Sequence, residues 1–171
     1  ITIYIPSGAY VLPDPLRPRD KTVIQGGGMY STVIKCKANN AVLLASKDSI
    51  GIKAEKRFQY LTIKDICFDA DSSCTHAGYI SGYMYSKFEN VIFQGATEYG
   101  CYVADVLNSA FTNIIIKYNH KIGLAIGRRI NNWGWRKGDS FTVNFTPFNR
   151  IFILKNGRKG PYYRDVDPAA N

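Results

Sequence analysis

The sequence predicts an all-β chain coiled as a right-handed parallel β-helix, with three strands and about 23 residues per rung, and three observations predict it. First, Phe88-Glu89-Asn90-Val91-Ile92-Phe93 and Phe111-Thr112-Asn113-Ile114-Ile115-Ile116 lie 23 residues apart, and Ile63-Lys64-Asp65-Ile66-Cys67-Phe68 precedes the former by 25. Second, Ile80, Val103 and Ile126 keep the same step of 23, as do Gly100 and Gly123. Third, the runs between these marks are β-branched and aromatic, punctuated by Gly, Asn, Asp and Ser, without a helical period. A unit this short cannot bury its own apolar face and must stack on copies of itself. With parallel strands ~4.8 Å apart, about six or seven rungs make a rod roughly 30 Å long.

Alternation assigns the faces. Ile63, Phe88 and Phe111 point inward, followed by Ile66, Val91 and Ile114 and then by Phe68, Phe93 and Ile116. Between them Asp65, Asn90 and Asn113 hold one equivalent turn, where stacked amides can hydrogen-bond along the axis and satisfy turn backbone; this column is structural. Cys67, Ile92 and Ile115 fall on the outer side as an apolar stripe, which predicts cover from a neighbouring chain or from a helix preceding this sequence. Both ends of such a stack leave open strand edges that need a cap. After residue 132 the repeat stops. Phe141, Val143 and Phe145 alternate, a turn follows, and Ile151 and Ile153 alternate again, so an antiparallel hairpin or cap is expected. The boundaries drawn are therefore 1–132 for the β-helix and 133–171 for the cap hairpin and a basic extended tail. Trp133 and Trp135 are expected to plug the end of the core, with sugar stacking as their alternative use.

Composition narrows the class. The chain has 171 residues, 46% hydrophobic and 20% charged, which suits one folded domain and excludes disorder. Its longest apolar runs, such as residues 41–45, fall far below the ~18 residues of a membrane helix. No secretory leader pattern opens the sequence, and Ile1 starts in mid-strand, so a piece of something longer is expected. The four cysteines, at 36, 67, 74 and 101, have no CxxC spacing and are expected as reduced thiols. Net charge is +9, yet residues 1–127 hold 13 Lys/Arg against 10 Asp/Glu, while residues 128–164 hold nine against Asp139 alone. That tail suits an anionic polymer, an acidic partner or simple solubility.

Two N-terminal stretches carry a resemblance. Ile3-Tyr4-Ile5-Pro6-Ser7-Gly8-Ala9-Tyr10, and Thr22-Val23-Ile24-Gln25-Gly26-Gly27-Gly28 continuing through Ser31-Thr32-Val33-Ile34, resemble the opening strands of the pectate-lyase-like superfamily as seen in phage tailspikes and tail-fibre depolymerases. With the 23-residue units the resemblance covers some three quarters of the chain. It implies a homotrimeric rod at a virion tail, in contact with other tail proteins, that binds and in many members cuts bacterial surface polysaccharide outside the host cell. The paired acids and the Gly-His-Gly of polygalacturonases are missing, since His76 is followed by Ala77, and so is the calcium-binding acid cluster of pectate lyases. Gly26-Gly27-Gly28 lacks the Gly-Lys-Ser/Thr of a phosphate loop.

Candidate chemistry gathers at one turn. Residues 69–77 form a connection two residues longer than its equivalents at 94–100 and 117–123. Carboxylates on adjacent rungs start ~5 Å apart and those two rungs apart ~6.5 to 9.5 Å, the separations of retaining and inverting glycosidases. Asp69 or Asp71 with Glu98 is the candidate catalytic pair, and His76 or Lys121 takes the proton if the reaction is elimination. Tyr79 and Tyr102, one rung apart, are candidate sugar platforms, and His120 and Lys121 complete the substrate-binding set. Asp71, Cys74 and His76 fit no zinc geometry, so neither metal nor other cofactor is expected, nor a nucleic-acid partner or membrane span. Three functions remain: a virion tail receptor-binding protein with or without depolymerase activity, a secreted polysaccharide lyase or glycoside hydrolase, and a non-catalytic structural β-helix module.

Overall fold

The computed structural model describes residues 1–36, 42–45, 58–127 and 143–157. Among these residues every strand pair is parallel and no backbone is helical. The fold is a parallel β-helix. In one sheet β1 (Thr2–Ile5), β3 (Val23–Gly26), β7 (Thr62–Asp69), β9 (Lys87–Gln94), β11 (Ala110–Lys117) and β14 (Phe148–Leu154) stack in that order, with β2 (Gly8–Leu12) on β4 (Thr32–Cys36) and β4 on β7. In the other, β5 (Val42–Ala45), β8 (His76–Met84), β10 (Tyr99–Leu107) and β12 (Ile122–Ile126) stack, joined by β6 (Phe58–Gln59) on β8 and β13 (Val143–Asn144) on β10.

Residues of like kind lie over one another. Phe111 pairs with Phe88 below and Phe148 above, and Ile114 with Val91 and Ile151. The three phenyl rings stack at 4.7 and 4.8 Å between centroids, and Phe68 stacks on Phe93 at 5.6 Å. Each fully buried side chain of this size stabilises by roughly 1.5–3 kcal/mol, and a repeating apolar column collects that gain rung after rung. Ile80, Val103 and Ile126 form the matching column of the second sheet.

Corners are made by residues in the left-handed region. Strand β7 bends at Asp65, φ 61°, so that residues 62–64 lie on β3 and residues 67–69 on β4. Gly26 meets this bend so closely that an added Cβ would collide with the Asp65 carbonyl oxygen. Asn90 and Asn113, both at φ 54°, repeat the corner above it. Asp and Asn tolerate this conformation because a short polar side chain can bond locally. Here they bond along the axis instead: Asn113 Nδ2 donates to Asn90 Oδ1 and Asn90 Nδ2 to Asp65 Oδ1, each at 2.8 Å. Asn90→Ala therefore loses both bonds and puts an unfavourable residue at positive φ, an expected cost of about 2–3 kcal/mol. Asn90→Gly should recover about 1 kcal/mol of it, because glycine accepts that φ freely. Urea denaturation of the two variants checks both figures.

Three expectations are corrected. The hairpin is not formed: β13 adds in parallel to β10 and β14 in parallel to β11, so the stack continues through Leu154, beyond residue 132. Phe148, Ile151 and Ile153 repeat the inward pattern of Phe111, Ile114 and Ile116, but 37 residues later, and that longer connection hides the period. The step is 23 residues between β9 and β11 but 25 between β7 and β9 and 39 between β3 and β7. The outer stripe also needs less cover than expected, since Cys67 and Ile92 are only 4% and 2% exposed within the chain itself. At the corner Asn113 reaches Met29 of the β3–β4 connection, Nδ2 to Sδ 3.9 Å. Trp133, Trp135 and the basic tail beyond residue 157 lie outside the described residues.

Candidate functional site

The β7–β8 connection is longer than its neighbour in space as well as in sequence. Asp69 pairs with Gln94 and Gly78 with Cys101, so eight residues bridge what six bridge on the rung above. The surplus is taken up by a tight turn. Asp69 Oδ1 accepts the Asp71 N–H at 3.0 Å, Asp71 and Ser72 take φ 46° and 58°, and the Ser73 N–H donates to the Ala70 carbonyl at 2.7 Å. This turn returns Cys74 to Cys36 at the end of β4, and the two form a disulfide. The expectation of four reduced thiols is thereby corrected. The pair is 38 residues apart in sequence and meets only because β4 and β7 stack.

Cys67 and Cys101 are the free thiols, both buried. Burial, reinforced by the Asp69 carboxylate, pushes the Cys67 thiol up to about 12 against the opposing pull of Lys117 and Lys35. Burial alone raises Cys101. Neither is a thiolate near neutral pH, so neither is a nucleophile.

The candidate residues fall into two groups. The outer edge carries contacts between rungs, two of them between successive rungs and one, Ser72 to His120, across the rung between. Lys35 Nζ lies 3.1 Å from Asp71 Oδ2 and 3.8 Å from Asp69 Oδ2; Ser72 Oγ and His120 Nε2 are 3.2 Å apart; Lys121 Nζ donates to Glu98 Oε1 at 2.9 Å. The lysine–carboxylate pairs with Asp71 and Glu98 are substantially exposed and contribute about 0–1 kcal/mol each, so the disulfide and backbone bonds hold the connection while these charges face solvent. Asp71 and Glu98 sit at opposite ends of it: the Ser72 N–H beside Asp71 donates to Gly95 O, whereas the Glu98 N–H donates to Thr75 O.

The second group is enclosed. His76 stacks on Tyr99 at 4.9 Å, meets Tyr79 edge-on at 5.7 Å and lies with Nδ1 2.8 Å from Thr75 Oγ1. Tyr79 and Tyr102 do stack one rung apart, at 5.3 Å and 2° between planes. At 5% and 4% exposure, however, they pack with Val42, Ala45 and Ala104 in a second apolar cluster and offer no face to a sugar. Outward orientation was legible, but not the packing that covers it. Asp69 and His76 are buried as well.

Lys35 is the edge residue that sequence reasoning missed. It pairs with Asp69 at a step of 34 residues, which no 23-residue period finds. Among the described residues no three His, Cys, Asp or Glu side chains gather as a metal site would require.

No protein-family model matches the chain, and no curated protein matches its sequence. Two solved structures are similar. The Geobacillus virus E2 protein ORF18 aligns with a TM-score of 0.68 at 16% identity, over 92% of this chain and 32% of its own. What is shared is the fold. The Azotobacter vinelandii mannuronan C-5 epimerase AlgE4 A-module aligns with a TM-score of 0.44 at 15% identity, over 93% of this chain and 64% of its own. The chain thus spans about a third of the length of the phage protein. No helix among the described residues is long and apolar enough to cross a membrane.

Proposed function

We propose that this chain is the β-helical segment of a phage virion tail protein of the tailspike or receptor-binding type, a homotrimer with right-handed three-strand rungs that binds bacterial surface polysaccharide. The observation that carries the reading is the outer edge, where Lys35–Asp71, Ser72–His120 and Lys121–Glu98 present polar groups from several rungs to solvent. Strand stacking sets them at multiples of ~4.8 Å, a spacing on which successive sugar units of a linear polymer can be read. The phage origin of the structural neighbour supports the virion setting. So does the disulfide, since such bonds persist in oxidising surroundings outside the cytoplasm.

Cutting as well as binding is the second reading, and the exposed carboxylates favour it. Asp71 reaches solvent and Glu98 is half-buried, so each is available as an acid or base at its own end of the connection, while buried Asp69 holds Asp71 through its N–H and buried His76 lies beside Thr75. A free-standing secreted lyase or hydrolase, or a purely structural module, would give a different pattern in one experiment. Capsular and O-antigen polysaccharides are incubated with the chain, and reducing ends, unsaturated-uronate absorbance and bound polymer are measured. Retained polymer is the expected result. Reducing ends that vanish in Asp71→Asn or Glu98→Gln would establish hydrolysis at this edge, and unsaturated ends would establish a lyase. Polymer neither retained nor cut would sink the reading.

A further inference from the structure

Where β8 and β10 end, at the far side of the second sheet from the Asp71–Glu98 edge, the chain turns a second corner. Tyr60, Tyr85, Asn108 and Phe145 occupy it on successive rungs, each following one of the paired positions Gln59, Met84, Leu107 and Asn144. All four lie in the left-handed region, at φ 59°, 53°, 46° and 48°. At the Asp65 corner the chain meets that demand with Asp65, Asn90 and Asn113, and with Arg150 on the rung above them. Here three of four positions are bulky aromatics, for which this conformation is strained.

The aromatic rings remain in solvent. Tyr60 and Tyr85 stack on each other at 5.5 Å and are 53% and 45% exposed, and Phe145 is exposed too. Asn108 interrupts the column. Two rung spacings of ~4.8 Å separate the levels of Tyr85 and Phe145, and ring systems stack at ~4.5 to 7 Å, so the Asn108 level has the thickness of one ring. A cavity of about 540 Å³ opens there, lined among the described residues by Tyr85, Lys87, Asn108, Phe145 and Pro147 with Tyr60 below. The Asn108 amide supplies a donor and an acceptor, and Lys87, exposed at the start of β9, a positive charge.

We propose that this slot binds one ring of an acidic polysaccharide, with the sugar face on Tyr85, the hydroxyls on Asn108 and the carboxylate toward Lys87. The inference rests on the polysaccharide-binding reading above but assigns a separate site. The ring takes the place of the missing aromatic side chain in the column. A face of aromatic and amide groups with one cation suits a pyranose bearing a carboxylate better than it suits a wholly apolar surface, which would leave Lys87 and Asn108 unsatisfied on contact.

The test titrates the chain with hexagalacturonate and with uncharged maltohexaose by calorimetry. Wild type is expected to bind the uronate at least tenfold more tightly. Asn108→Tyr continues the column in the conformation that Tyr60 and Tyr85 already hold, fills the slot, and should weaken uronate binding tenfold or more. Tyr85→Ala should do the same by removing the platform, and Lys87→Gln should erase the preference for the charged probe. Urea denaturation shows which variants are folded, and the exposed Lys87→Gln change decides the matter if the other two are not. No uronate binding by wild type, or unchanged binding by the folded variants, overturns the slot. If capsular polymer is still retained while the slot variants behave as wild type, the slot fails and the outer-edge reading stands. Variants that alter the sedimentation mass and leave saccharide binding untouched make the column an interface between copies and likewise overturn the proposal.

Discussion

Asn119→Ala is expected to destabilise the chain by about 3–5 kcal/mol, because it strips the amide from a buried hydrogen-bonded polar chain. Asn119 is 1% exposed. Its Oδ1 accepts the Ala96 N–H at 2.9 Å and its Nδ2 donates to Asn156 Oδ1 at 2.8 Å. Asn156 carries the chain upward, accepting the Asn119 N–H at 3.1 Å and donating to the Ile116 carbonyl at 3.0 Å. Removal of the amide orphans the N–H of fully buried Ala96 and leaves a small cavity beside it. Each orphaned buried group costs about 1–3 kcal/mol, and the cavity adds its own penalty. Urea unfolding measures the loss. A value under about 1 kcal/mol would mean that solvent reaches this level of the stack and takes over the bonds, since only replacement of the amide by water offsets the desolvation.

The glycines at 100 and 123 gain their physical reason from the same column. A Cβ on Gly123 would come within 2.7 Å of Asn156 Nδ2, and one on Gly100 would overlap Asn119 Nδ2 in the same way. Their spacing of 23 was visible, but it marked a place where an amide needs room and not a turn. Asn119 and Asn156 themselves stand 37 residues apart, so the period that exposed Asp65, Asn90 and Asn113 passed over them. Ser86 and Ser109 do keep the step of 23, and the Ser86 N–H donates to Ser109 Oγ at 3.0 Å. Serine is too common at turns for that pair to stand out from a sequence. Apolar columns were the most legible feature, because inward residues must repeat wherever the backbone repeats; Val91 under Ile114 is the plainest case.

Legibility of the site was more uneven for a related reason. The extra length of the β7–β8 connection could be counted, and Glu98 and Lys121, 23 residues apart, do meet. Exposure could not be counted. Tyr79 and Tyr102 alternate outward as the strand period requires, yet they are covered, and no alternation rule distinguishes an outer face in solvent from one beneath other residues. Tyr60 and Tyr85 show the converse. They stand 25 residues apart, like Ile63 and Phe88, but at a corner whose φ values forbid reading them as ordinary strand residues.

Replacing Cys36 and Cys74 together by alanine is expected to cost about 3–4 kcal/mol, because the bond closes a loop of 38 residues and the chain-entropy estimate for that length is about 4 kcal/mol. Alanine is the right probe, since Cys74 is buried and a serine hydroxyl would add its own desolvation cost. The loss should appear twice over, as a lower urea midpoint in the double variant and as an equal fall when wild type is reduced, with reductant leaving the variant unchanged. Thiol titration under denaturing, non-reducing conditions should count two cysteines, Cys67 and Cys101, and four after reduction. Native chain should react at neither, because burial holds Cys67 in the thiol form up to about 12 and Cys101 is raised likewise. A count of four without reductant would remove the bond, and with it the pin between β4 and the turn that sets Asp71 and Ser72 at the outer edge. In that case the backbone bonds from Ala70 to Gln94 and from Ser72 to Gly95 would have to carry the connection alone, and polysaccharide retention should fall together with stability on reduction only if they cannot.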